Sequence, residues 1–181
     1  QLNSMRMRLK QELFLQASIT MLENEIPNTI TIVRTISDVK NILNIWRNDK
    51  LNVGLVPTMG ALHEGHFSLI KKSLSLSDRT IVTLFVNPKQ FGRNEDFDKY
   101  PTNELSDIKA LENLSVDIIF APSTEEMYPP GNITNISLPD IGDLLEGEFR
   151  PGFFNGVATV VCKLFMIASP DLAFFGEKDY Q

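Results

Sequence analysis

Short apolar segments alternate with helical patterns along this chain, and that alternation restricts the possible folds more than any other feature. The apolar segments are often β-branched and cover residues 30–33, 53–56, 81–86, 117–120 and 172–175. Such segments are typical of strands buried on both faces, as in a parallel sheet. The helical patterns cover residues 37–47, 64–75, 105–114 and 157–168. The sequence therefore predicts an α/β fold with helices on both faces of a parallel sheet.

The two ends of the chain depart from this alternation. Residues 1–28 precede the first predicted strand as a helix-prone, Met-rich extension. It is native, a remnant of cloning, or the result of a start assigned too early, with the true start nearer Met21. Residues 132–138 are predicted to be a short strand or an extended loop. Residues 176–181 follow the last strand and stop where a covering helix is expected. We therefore expect the 181 residues to be a piece of a longer protein, with one domain over residues 29–181.

Composition narrows the classes of partner. The formal net charge of −6 makes general nucleic-acid binding unfavourable, although a local site for a small phosphate ligand stays open. No apolar stretch reaches the roughly 18–20 residues of a transmembrane helix. The single cysteine, Cys162, lies in an apolar segment, which predicts a small core residue and a reducing, cytoplasmic setting.

Both histidines of the chain, His63 and His66, follow the second predicted strand, with Gly65 between them. A glycine-containing turn from strand to helix commonly binds phosphate, because free N–H groups and the helix dipole point at the anion. On a first helical turn the two rings share one face. Gly65 would let a nucleotide approach the backbone. Solvated or capping histidines are one alternative, and a zinc site is another, which needs further ligands that no paired motif supplies.

Two more strand ends carry polar groups. Asn87 ends the third strand, and Gln90 offers an amide to a small polar substrate. Lys178 and Asp179 follow the last strand, where they are suited to contact phosphate and ribose. Each pair alone is more often structural or solvated. Their shared position at the carboxyl ends of parallel strands is what predicts a ligand site. Arg150, before the last helix, is either an anion contact or part of a structural loop.

The motifs resemble those of the pantothenate synthetase family in their order and spacing. They are found at residues 57–66, 85–91, 96–101, 127–129, 150–152 and 175–181. The resemblance extends over residues 30–181. His-x-Gly-His alone is shared with the wider nucleotidylyltransferase and class I aminoacyl-tRNA synthetase group, whereas the combination is much more specific. The resemblance implies a Rossmann-like sheet of the nucleotidylyltransferase type.

The resemblance also implies a reaction. ATP drives the condensation of (R)-pantoate with β-alanine through a pantoyl adenylate, which gives pantothenate, AMP and pyrophosphate, with Mg²⁺ present and a homodimer as the assembly. Two alternatives are a nucleotidyltransferase that acts on another small substrate and an inactive nucleotide-binding fragment.

By resemblance, His66 donates a proton, His63 contacts phosphate and Lys178 compensates charge. Pantoate and β-alanine are bound by Gln90, with Asn87 and Met59 beside it. The implied ATP site consists of Met59, Gly60, Ala61, Leu62, His63, Glu64, Gly65, His66, Gly176, Glu177, Lys178 and Asp179. No metal ligand among the protein side chains is implied.

Two positions depart from the family pattern. Phe153 stands where the family usually has histidine, and Thr102 stands where it usually has arginine. Each loses a polar group near the substrates or at the subunit contact, so altered kinetics are expected. The chain also stops before the family's second pantoate-binding glutamine, its Ser-Ser-Arg-Asn loop and its C-terminal lid domain. We therefore expect the 181 residues alone to have little synthetase activity.

Overall fold

The structure is a computed structural model that describes residues 30–92, 97, 100–101 and 103–181. The extension at residues 1–28 and the departure at Thr102 lie outside the described residues. So do residues 96, 98 and 99 of the motif at 96–101.

Five parallel strands form one sheet, as the apolar segments predicted. The strands are β1 (Thr31–Val33), β2 (Val53–Val56), β3 (Arg79–Thr83), β4 (Ile118–Phe120) and β5 (Leu172–Ala173). Their order across the sheet is β1-β4-β3-β2-β5. From β2 the chain continues to β3 on one side and later adds β5 on the other, so the strand order reverses at β2. Open α/β sheets bind ligands at such a switch point.

Helices cover both faces of this sheet, which confirms the predicted α/β fold. They are α1 (Ile36–Asn48), α2 (Glu64–Leu76), α3 (Glu104–Asn113), α4 (Thr124–Met127), α5 (Glu146–Phe149) and α6 (Phe153–Ala168). Short 3₁₀ turns lie at Pro88–Gln90, Ile141–Asp143 and Glu177–Asp179. None of the helices in the described part of the chain is long and apolar enough to cross a membrane.

Each face of the sheet has its own apolar core. On one face, Leu43 of α1 and Leu164 of α6 pack against the strands. On the other, Ile70 of α2 and Leu111 of α3 do so, and both are fully buried. Burying one such side chain contributes about 1.5–3 kcal/mol. The two cores hold the strand ends in register, and therefore hold the loops that leave those ends.

The structure corrects several sequence-based boundaries. Helix α6 begins at Phe153, before the predicted start at residue 157, because Gly152 forms its N-cap with φ +83°. Strand β3 ends at Thr83, where the Thr58 N–H donates to the Thr83 side-chain Oγ1 at 3.1 Å. Strand β5 has only two residues. Cys162 is half-buried, so its prediction as a core residue was wrong.

Residues 132–138 form an extended loop rather than a strand. Side chains of α6 hold this loop: the Ile136 N–H donates to Thr159 Oγ1 at 2.8 Å, and the Leu138 N–H donates to Asn155 Oδ1 at 2.8 Å. Because these bonds run to side chains and not to a neighbouring strand, the loop satisfies its backbone without joining the sheet.

Candidate active site

The loop between β2 and α2, residues 57–66, is here called the nucleotide loop. Near its start lies Thr58, whose hydroxyl donates to the Thr83 carbonyl at 2.6 Å and whose N–H donates to Thr83 Oγ1 at 3.1 Å. Both threonines are buried. The pair joins the carboxyl ends of β2 and β3, so the start of the loop is fixed to the sheet.

A buried carboxylate from α3 holds the middle of the nucleotide loop. Asp107 Oδ2 accepts the Ala61 N–H, and Oδ1 accepts the Leu62 N–H, both at 2.9 Å. Asp107 is only 6% exposed. Sequence reasoning missed this residue. A signal was present, because Asp107 and Leu111 are spaced i, i+4 on the buried side of α3, where an aspartate needs a specific partner.

The two histidine rings are in contact, but only His66 lies within the helix, because His63 is the residue that caps it. His63 is the N-cap of α2, with φ −142°, and its Nδ1 accepts the Gly65 N–H at 3.1 Å. His66 Nδ1 in turn accepts the His63 N–H at 3.4 Å. The ring centroids are 4.1 Å apart. A Cβ at Gly65 would lie 2.9 Å from the His63 ring, so the glycine makes room for that ring.

This capping fixes the chemistry of His66. Because its Nδ1 accepts a backbone N–H, the neutral ring carries its proton on Nε2, where it can donate. Burial lowers the pKa of His66 below its ordinary value, and the charges of His63 and Lys178 lower it further. Asp179 and Asp107 oppose the shift. At neutral pH, His66 is therefore an uncharged hydrogen-bond donor.

The turn after β5 lies beside the histidines. Lys178 and Asp179 both act on the charge of His66, and Lys178 Nζ contacts Asp179 Oδ1 at 2.7 Å. The Lys178 side chain is 72% exposed, so its ammonium lies at the surface. Tyr100, to which the sequence assigned no role, is close enough to feel the charge of Lys178. Burial raises the pKa of Tyr100 above its ordinary value, and Lys178 opposes that shift. The first and third predicted motifs are thus brought together.

The second motif meets the nucleotide loop through Gln90. Its Nε2 approaches Met59 Sδ at 3.0 Å. The residues 87–90 are here called the amide turn. Asn87, 1% exposed, donates from Nδ2 to Gln90 Oε1 and to the Gly156 carbonyl, both at 3.1 Å. Its Oδ1 accepts the Tyr128 hydroxyl at 2.8 Å. Asn87 therefore lies behind Gln90 and orients it.

Close packing with α6 fixes the backbone of the amide turn. A Cβ at Gly156 would lie 2.2 Å from the Lys89 carbonyl oxygen and 2.8 Å from the Gln90 nitrogen. Arg150 also donates to the Gln90 carbonyl at 3.3 Å, and its guanidinium lies 3.8 Å from the centre of the Phe153 ring. The residue that departs from the family pattern thus stacks on the arginine that supports this turn.

Comparison with known proteins now gives the family. The sequence model described as pantoate-beta-alanine ligase matches residues 31–181. The chain belongs to the pantoate-beta-alanine ligase family. The pantothenate synthetase of Hyphomonas neptunium is 49% identical over 154 residues, which is 85% of this chain and 53% of that protein. That of Bartonella quintana is 50% identical over 152 residues, or 84% of this chain and 53% of that protein.

Solved structures of this ligase family have the same fold. Pantothenate synthetase from Thermus thermophilus gives a TM-score of 0.78 at 41% identity, over 83% of this chain and 53% of that one. The Francisella tularensis pantoate-beta-alanine ligase, solved with beta-gamma ATP and beta-alanine, gives 0.76 at 43% identity, over 80% and 55%. The chain thus spans about half the length of the relatives it matches.

Proposed function

We propose that the protein containing this chain condenses pantoate with β-alanine at the expense of ATP, through a pantoyl adenylate. The contact between Gln90 and Met59 carries the proposal, since it joins the amide turn to the nucleotide loop. ATP and pantoate would therefore meet at one edge of the sheet, at the carboxyl ends of the strands. The Francisella relative was solved with an ATP compound and β-alanine together, which supports the same assignment.

In the first step a pantoate carboxylate oxygen attacks the α-phosphorus of ATP. The bond from that phosphorus to the bridging oxygen breaks, and pyrophosphate leaves. Negative charge grows on the phosphate oxygens, so preorganised donors lower the barrier. His66 donates from Nε2, His63 contacts the phosphates and Lys178 neutralises charge. The neutral state of His66 supports this role, because its donor proton is already on the free nitrogen.

In the second step the amine of β-alanine attacks the acyl carbon of the adenylate. The carbon–oxygen bond to AMP breaks, the attacking nitrogen releases a proton to solvent, and pantothenate and AMP form. No covalent bond to the protein is made, so catalysis rests on orientation and charge stabilisation. Gln90 orients pantoate first and the amine afterwards. The hydrogen bonds that fix Gln90 from behind support this positioning role.

Nucleotide contacts are proposed for the whole set of Met59 to His66 and Gly176 to Asp179. Mg²⁺ would enter as part of the substrate, bound to the triphosphate. No group of three or more His, Cys, Asp or Glu side chains in the described residues is arranged to hold a metal ion, and Mg²⁺ commonly binds through substrate phosphates.

A homodimer and a cytoplasmic location complete the proposal. Four exposed apolar side chains lie close together in sequence and would suit a subunit contact: Ile141, Leu144, Leu145 and Phe149. The lone, unpaired Cys162 is consistent with a reducing compartment.

Exchange of labelled pyrophosphate into ATP tests the proposed reaction. The full-length protein should catalyse this exchange when pantoate is added and β-alanine is left out, because the first step is then reversible. Gln90→Ala should lower the pantoate-dependent rate while ATP still binds. Exchange that does not depend on pantoate would reject the proposal and favour another nucleotidyl acceptor.

A further inference from the structure

The Ala61 and Leu62 N–H groups do not face a ligand. In many α/β proteins the backbone N–H groups of such a loop bind phosphate. Here the two Asp107 oxygens take both of them at 2.9 Å, in the geometry of a bidentate anion. The loop therefore has an anion position that the protein itself fills. This differs from the expectation that free N–H groups of the loop point at the nucleotide.

The same carboxylate supports an unusual backbone conformation. Ala61 has φ +51° and Gly60 has φ +84°, both in the left-handed region. That region is unfavourable for alanine, so the conformation needs outside support. A Cβ at Gly60 would lie 3.0 Å from Asp107 Oδ2, which shows how closely the carboxylate is seated against the loop.

We infer that Asp107 is a positioning residue for the nucleotide loop: its carboxylate occupies the loop's anion position permanently, so the triphosphate is recognised by side chains. This inference rests on the proposed function. A fixed negative charge behind residues 60–62 repels a second anion from the loop backbone. That leaves side chains such as His66 and Lys178, which act on each other electrostatically, to meet the phosphates. The shape of the loop would then exist before ATP binds.

Chemical rescue tests the inference in the full-length protein. Asp107→Ala removes the carboxylate and leaves two unpaired N–H groups beside a space that formate fits. We expect the KM for ATP to rise about tenfold, as for a lost charge-assisted hydrogen bond, while the KM for pantoate changes about twofold or less. Formate should recover much of the ATP affinity, and chloride at the same ionic strength should not.

The matched control is Glu112→Gln, which removes an exposed carboxylate from the same helix and should change neither constant. An unchanged KM for ATP in Asp107→Ala, or equal effects of formate and chloride, would overturn the inference. If Asp107→Ala does not fold, Asp107→Asn provides the test. Asn keeps the shape but turns an NH₂ group towards one loop N–H, so ATP affinity must again fall.

Hydrogen exchange separates this inference from the proposed function. In the wild-type protein without nucleotide, the Ala61 and Leu62 amides should exchange slowly, and Asp107→Asn should speed their exchange more than that of the sheet. Slow amide exchange, together with no pantoate-dependent exchange of pyrophosphate into ATP, would reject the proposed function and leave the role of Asp107 standing. Fast exchange of the Ala61 and Leu62 amides in the wild-type protein would reject the role of Asp107 and leave the proposed function standing.

Discussion

The nucleotide loop and the amide turn lie at the same sheet edge but are held in different ways. The loop depends on a charged group: Asp107 reaches it from a distant helix. The amide turn depends on the hydrogen bonds of Asn87 and on the backbone contact with Gly156, with one further bond from the Arg150 guanidinium. Beside the loop, the charge of His66 responds to pH and the exposed Lys178 is open to screening by salt, whereas close packing responds to neither. We infer that the nucleotide loop, proposed as the ATP half of the site, is adjustable and that the amide turn, proposed as the acid-binding half, is rigid.

Gly156→Ala should have the largest effect on the rigid half. The new methyl group would lie 2.2 Å from the Lys89 carbonyl oxygen, so either α6 or the amide turn must move. Overpacking of this kind costs about 1–3 kcal/mol, even though alanine is the better helix former. We expect a lower urea midpoint and a larger rise in the KM for pantoate than in the KM for ATP.

Cys162→Ala is the control for Gly156→Ala, because it changes a half-buried side chain of the same helix away from the turn. It should leave both KM values unchanged. Equal rises in the two KM values for Gly156→Ala would contradict the division into two separately held halves.

Tyr128→Phe should have a smaller effect on the same half. It removes the hydroxyl that donates to Asn87 Oδ1 at 2.8 Å and keeps the ring. A lost hydrogen bond of this kind costs about 1 kcal/mol, or about a fivefold change in an equilibrium. Burial raises the Tyr128 pKa to about 12, so the donor stays protonated throughout the usable pH range. Urea unfolding and the KM for pantoate provide the measurements.

Tyr180→Phe is the matched control, since the Tyr180 side chain is 97% exposed. It should change neither stability nor KM. If Tyr128→Phe also behaves like this control, then Asn87 does not need the hydroxyl to orient Gln90, and the rigid half is held by packing alone.

The sequence predicted the fold and the meeting of its three polar motifs at one sheet edge, because both follow from local patterns. Buried strands and amphipathic helices have their own periodicities, and parallel strands bring their carboxyl ends to one edge. The supports of the site were not predictable in that way. Asp107 contacts residues more than forty positions earlier in the chain, and Asn87 turns inward only because Gly156 and Tyr128 lie behind it. Such contacts exist only once the helices have packed.

His66 offers the smallest but sharpest test of the adjustable half. Its folded pKa is lowered by burial first and then by His63 and Lys178, so it takes up its proton less readily than in the unfolded chain. The stability that this shift contributes is therefore full above the unfolded pKa of His66 and falls as pH decreases through its folded pKa.

Lys178→Gln should raise the His66 pKa, and Asp179→Asn should lower it. The sequence has two histidines, so proton NMR would follow two ring Hε1 signals, and His63→Asn, which keeps an N-cap residue, assigns them. Shifts of the same sign in the Lys178 and Asp179 variants would mean that these charges do not act directly on His66, and the ATP half would then not be tuned by the turn after β5.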